Sequence, residues 1–185
     1  VWQVAFEPRS TPAKWTAYLA AGIGKGRGYL FRASSDAPTV RVQEYHQAES
    51  AGCGGPAGNC PPNPLGYPNA NTLYGVAVWY GGSAIATGYA GHVLRRDPAT
   101  VVWCDVTDKQ AFTTGPLWKC AATPDGRTAW IVGTFGALRR STDGGRTWTE
   151  HGSREAFRPR ALAFADDARG WAVGPNELIA TSGDG

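Results

Sequence analysis

The 185-residue chain contains no methionine, not even at position 1, which predicts a processed product or a piece of a larger polypeptide. No stretch approaches the roughly 18 apolar residues that a membrane helix needs, so the chain is not expected to cross a bilayer in that way. No run of five or six like charges occurs, and a net charge of +3 gives no footing for nucleic-acid binding. Only three histidines are present, His46, His92 and His151; they are widely separated, lack a metal-ligand rhythm and read as surface or turn residues. There is no G-x-S-x-G elbow for a nucleophilic serine. The glycine-rich GIGKGRG from Gly22 to Gly28 lacks the GK[ST] ending of a phosphate loop and a following helix, and reads as a hairpin loop. Neither a metal nor a cofactor is expected, and no segment shows a helical period.

What the chain does have is glycine (25), proline (13) and tryptophan (8), on a background of 42% hydrophobic and 18% charged residues. That composition describes one globular domain of many short strands, tight turns and aromatic filling. Four cysteines leave three pairings open. Cys53 and Cys60 lie in CGGPAGNC, where a local bridge would restrain a loop. Cys104 and Cys120 sit in apolar, strand-like surroundings, where free buried cysteine is common. A bridge in either place would imply an oxidising compartment.

Part of the sequence repeats. Trp130, Gly133, Ser141 and Asp143 recur 41 positions later as Trp171, Gly174, Ser182 and Asp184. Upstream, Gly88 stands 45 before Gly133, and LRR occurs at both 94–96 and 138–140. Each unit resolves into up to four short runs of strand composition, over about 1–45, 72–106, 117–152 and 160–185, with 46–71 a Gly/Pro-rich surface insertion. Four antiparallel strands repeated at this period predict an all-β propeller, three complete blades and part of a fourth, belonging to a six- or seven-bladed parent.

In the third unit STDGGRTW, from Ser141 to Trp148, joins the last two strands. Asp143 is suited to accept the turn's N–H groups, Gly144 and Gly145 to take positive φ, Thr147 to restart the strand, and Trp148 to wedge against neighbours. The stretch resembles the Asp-box, or BNR repeat, S-x-D-x-G-x-T-W, through Ser141, Asp143, Gly145, Thr147 and Trp148, and in part again through Ser182 and Asp184. Together with AWIVGTFGALRR and GWAVG it is most similar to the photosystem II assembly and stability factors among Asp-box propellers. The resemblance implies a structural turn away from the working face. It also implies a non-enzymatic, protein-binding role toward a subunit of a membrane complex, and an extracytoplasmic location: thylakoid lumen, periplasm or secreted.

Arg32, Arg95 and Arg139 fall at corresponding places in three third strands, and Arg96 with Arg140 forms a second matched pair. They read either as an arc of guanidinium groups that engages a partner, as the resemblance implies, or as outward-facing residues paired with nearby acids. The alternative function is a glycan-acting Asp-box protein, a sialidase-like glycosidase or a lectin. The Arg-Ile-Pro motif of sialidases is missing, with FRPR at Phe157–Arg160 the nearest string. Glu44, Glu49, Glu150, Glu155 and Glu177 all lie at strand ends or in loops, as solvated carboxylates do.

Overall fold

A computed structural model describes residues 3–8, 11–23, 27–43, 72–99, 103–107, 115–151, 158–175 and 179–182. The insertion at 46–71, with Cys53 and Cys60, lies outside them, as does Asp184.

Among the described residues there is no α-helix, and the strands fall into four antiparallel sheets. The first blade holds β1 (Gln3–Phe6), β2 (Thr16–Ile23), β3 (Arg27–Ser34) and β4 (Ala37–Gln43). The second holds β5 (Leu73–Val78), β6 (Ala84–Gly88), β7 (Val93–Arg96) and β8 (Trp103–Asp105). The third holds β9 (Leu117–Ala122), β10 (Ala129–Gly133), β11 (Leu138–Ser141) and β12 (Thr149–Glu150). The fourth is the partial blade: β13 (Ala161–Phe164), β14 (Gly170–Val173) and β15 (Ile179–Ser182). In every blade, consecutive strands are neighbours, and the first strands β1, β5, β9 and β13 pack side by side along the inner rim of an arc.

Strand alternation gives each blade two apolar faces, one for the blade before it and one for the blade after it. Tyr18, Ala20 and Leu30 of the first blade meet Val76, Val78, Ala86 and Leu94 of the second in one buried cluster. Ala77, Trp79, Ile85 and Val93 leave the second blade on its other face and join Leu117, Cys120, Ile131 and Trp148 of the third. Small residues on the inner strands let the sheets approach: a Cβ on Gly75 would come within 3.1 Å of Cys120 N and Lys119 Cα on the inner strand of the third blade.

The registers expose a row common to all four blades. Ala5–Tyr18–Arg32, Ala77–Ile85–Arg95, Ala121–Trp130–Arg140 and Ala163–Trp171–Thr181 lie opposite one another across the first three strands. Arg95 thus corresponds to Arg32 and Arg140. Arg96 corresponds to Ser141, and Arg139 takes the place of the core residue Leu94. The repeated LRR string is out of step with the structural repeat by one residue, and in a strand one residue is the difference between the two faces.

Cys120 is a free, wholly buried thiol, so it is not joined to Cys104.

Candidate functional site: two ends of the blade arc

One end of the arc is built from Asp-centred turns. At Ser141–Trp148, Gly144 and Gly145 adopt φ of 73° and 81°. The Asp143 carboxylate accepts hydrogen bonds from Ser141 Oγ at 2.8 Å, Arg146 N at 2.9 Å, Thr147 N at 3.0 Å and Thr147 Oγ1 at 2.7 Å. Ser141 Oγ in turn accepts from Gly145 N at 2.9 Å. Partial burial disfavours the charge on Asp143, but the bonds from Thr147, Ser141 and Arg146 outweigh it and hold the carboxyl below the usual aspartate range. Trp148 is buried in the seam with the second blade. Ser182 lies in β15 opposite Gly170.

The same device occurs in two turns that sequence reading passed over. Asp125 accepts from Thr123 Oγ1, Arg127 N, Thr128 N and Thr128 Oγ1 between β9 and β10. Asp166 accepts from Ala168 N and Arg169 N between β13 and β14. TPDGRT and ADDARG carried the signal, an Asp in a short polar break between strands.

The five arginines sit in the seams. Arg95 Nε donates to Gly144 O at 2.7 Å, reaching from the second blade into the Ser141–Trp148 turn of the third. Arg96 is buried; it donates to Gly82 O and lies 5.5 Å from the ring centre of Tyr18 in the first blade. Arg139 is buried and pairs with Glu150 at 3.1 Å. Arg140 lies 5.4 Å over Trp130, whose ring stacks on Phe164 of the fourth blade. Arg32 is half-buried and stands across from Tyr18. His92 also departs from its expected surface position: it is buried, with Nε2 3.2 Å from Asp105 Oδ2.

The opposite end carries different chemistry. Tyr74, Trp118 and Arg160 occupy one corresponding place, where the inner strands begin. The Tyr74 and Trp118 rings are 5.3 Å apart, and the Arg160 guanidinium lies 4.9 Å over Trp118. Lys119 Nζ donates to Tyr74 O at 3.2 Å, and burial lowers its pKa. The β6–β7 and β10–β11 hairpins project beside this row. Each closes on a two-residue turn with positive φ at both central positions, Ala90–Gly91 and Phe135–Gly136. Such a turn favours Asn or Gly first, and a bulky residue there is strained. Phe135 nevertheless occupies it at φ 57°, with its side chain 71% exposed, and Tyr89 is exposed next to the other turn. Sequence reading missed this row because Tyr, Trp and Arg share no motif; only the register shows that they share a place.

Several of the described carboxylates are taken up by contacts within the blades. Asp125, Asp143 and Asp166 serve turns, Asp105 faces His92, Glu150 pairs with Arg139, and Glu7 accepts from Gly81 N.

No protein-family model matches the chain, and no curated protein matches it. Among solved structures it is similar to one described as YCF48 bound to D1 peptide, with a TM-score of 0.64 and 13% identity, covering 96% of this chain and 49% of that one. It is also similar to the GH74 enzyme of Niastella koreensis, with a TM-score of 0.65 and 15% identity, covering 98% of this chain and 30% of that one. The chain spans about half the length of the first and under a third of the second. These likenesses show the fold, a β-propeller, of which this chain supplies three four-stranded blades and part of a fourth.

Proposed function

We propose that this chain is a non-catalytic, protein-binding propeller, and that its contact surface is the end carrying Tyr74, Tyr89, Trp118, Lys119, Phe135 and Arg160. The observation that carries the reading is the Tyr74–Trp118–Arg160 row, three π surfaces in contact at the mouth of the inner strands. Planar side chains supply contact area at little conformational cost, and Arg and Lys supply attraction for carboxylates. The ligand that fits is an extended peptide with apolar and acidic side chains. One fold neighbour is described as bound to a D1 peptide, which supports a segment of a membrane-complex subunit as the class of partner, and an assembly or stability role of the photosystem II kind. An extracytoplasmic compartment belongs to this reading. In this reading Arg32, Arg95, Arg96, Arg139 and Arg140 brace the seams that keep the surface rigid.

The second reading, a glycan-acting protein, is favoured by the same aromatic row, since sugar rings also stack on such surfaces. Asp105 and Glu150 are taken up by His92 and Arg139, which counts against their acting as a hydrolytic pair. The test is fluorescence anisotropy with a labelled D1 peptide, beside turnover of fluorogenic glycosides. Saturable binding that Arg160→Glu weakens about tenfold, the size of one lost charge-assisted contact, supports the proposal. Glycoside turnover, or peptide binding indifferent to Trp118→Ala and Arg160→Glu, overturns it.

A further inference from the structure

Arg96 differs from its counterparts in the other blades. It stands opposite Ala84, in the place that Ala33, Ser141 and Ser182 take opposite Ala17, Ala129 and Gly170. Where those side chains are small, Arg96 carries a full charge into the seam between the first and second blades, and only 5% of it is exposed. There Nη1 donates to Gly82 O, and the guanidinium lies 5.5 Å from the Tyr18 ring centre. Its Nε is buried with no hydrogen-bond partner, and no carboxylate pairs with it among the described residues. Arg139, equally buried in the next seam, has Glu150 at 3.1 Å. A buried charge without an opposite charge is costly, so the Arg96 corner calls for an anion.

The corner also has the donors to hold one. Gly82, in the turn between β5 and β6, adopts φ of 81° and leaves the space before it without a side chain. A Cβ there would lie 3.2 Å from Arg96 Nη1 and 3.3 Å from Tyr18 Oη, with no other described atom beyond its chain neighbours within 4 Å. Gly81 beside it is as bare, since a Cβ there would meet nothing within 4 Å. Tyr18 is 2% exposed, and its hydroxyl has no hydrogen-bond partner among the described residues. Glu7, an acid at the same turn, accepts from Gly81 N at 2.8 Å instead of pairing with Arg96. We propose that Arg96, Tyr18 and Gly82 form a binding site for one small oxyanion, a phosphoryl or carboxylate group that accepts from the guanidinium and the phenol together. Charge-assisted bonds of this kind are the strong ones, and guanidinium suits both groups. The ligand ties the second blade to the first, because each supplies one donor. The site lies at the end of the arc opposite the Tyr74–Trp118–Arg160 row and is independent of what that row binds.

Equilibrium dialysis against radiolabelled inorganic phosphate, and separately against radiolabelled acetate, at constant ionic strength is the test. One ion per chain should bind saturably, and whichever of the two binds identifies the group as phosphoryl or carboxylate. Tyr18→Phe keeps the ring against Arg96 and removes only a donor, so it should weaken binding about tenfold, the size of one hydrogen bond to a charged group. Arg96→Gln should abolish it, with near-ultraviolet circular dichroism reporting whether that variant folds; where it does not, Tyr18→Phe decides alone. Absence of saturable binding by either ion would overturn the proposal. So would binding that Tyr18→Phe leaves unchanged, which marks an adventitious ion only.

Discussion

Replacing Asp143 by alanine removes the acceptor on which the Ser141–Trp148 turn converges. Four donors lose their partner: Ser141 Oγ, Arg146 N, Thr147 N and Thr147 Oγ1. A hydrogen bond to a charged group contributes about 1.5–3 kcal/mol when buried, but Arg146 and Thr147 are exposed and water replaces much of what they lose, which leaves a cost of about 2 kcal/mol. For a chain of this size that lowers Tm by roughly 4–8 °C. The pH dependence identifies the cause. The folded carboxyl titrates below its unfolded value, so its contribution is complete above the unfolded pKa and is lost as pH falls through the folded one. Asp125 and Asp166 follow the same rule but are present in both proteins, so the difference in Tm isolates Asp143. Thermal melts of wild type and Asp143→Ala should differ at neutral pH and converge in acid. Asp143→Asn, which keeps an acceptor but no charge, should fall between them. A gap as wide in acid as at neutral pH would refute the charged-acceptor account, and no gap at neutral pH would refute the turn's role in stability.

Two further outcomes follow from the seams. Arg95→Ala should cost about 1–2 kcal/mol through loss of the bond to Gly144 O, and combined with Asp143→Ala it should cost less than the sum, because both act on one turn; strict additivity in urea titrations would contradict that coupling. The Cys120 thiol, its pKa pushed up to about 12 by burial, should resist iodoacetamide at neutral pH until the chain unfolds, and rapid labelling of the native protein, read by mass spectrometry, would contradict its position.

The Ser141–Trp148 turn was legible because its chemistry is local: Ser141, Asp143, Gly145 and Thr147 all act within eight residues of one another. The blade period was legible for a similar reason, since Trp130 and Trp171 keep their identity as well as their place. The arginines were harder. LRR looks the same at 94–96 and 138–140, yet register sets Arg95 with Arg140 and puts Arg139 in Leu94's place, because one residue fewer separates Gly133 from its arginines. String identity cannot see which face a side chain takes. The Tyr74–Trp118–Arg160 row was hidden by the reverse circumstance, one place held by three residue types. His92 could not be assigned to the interior without its partner Asp105, thirteen positions away.

The bond from Arg95 to Gly144 O means that the corner of one slice is finished by its neighbour. A single slice cut free would carry that turn with one carbonyl unclaimed and a tryptophan facing water. Loosening then spreads from each slice to the next, so a proteolytic nick should send the arc apart in steps rather than release a stable quarter.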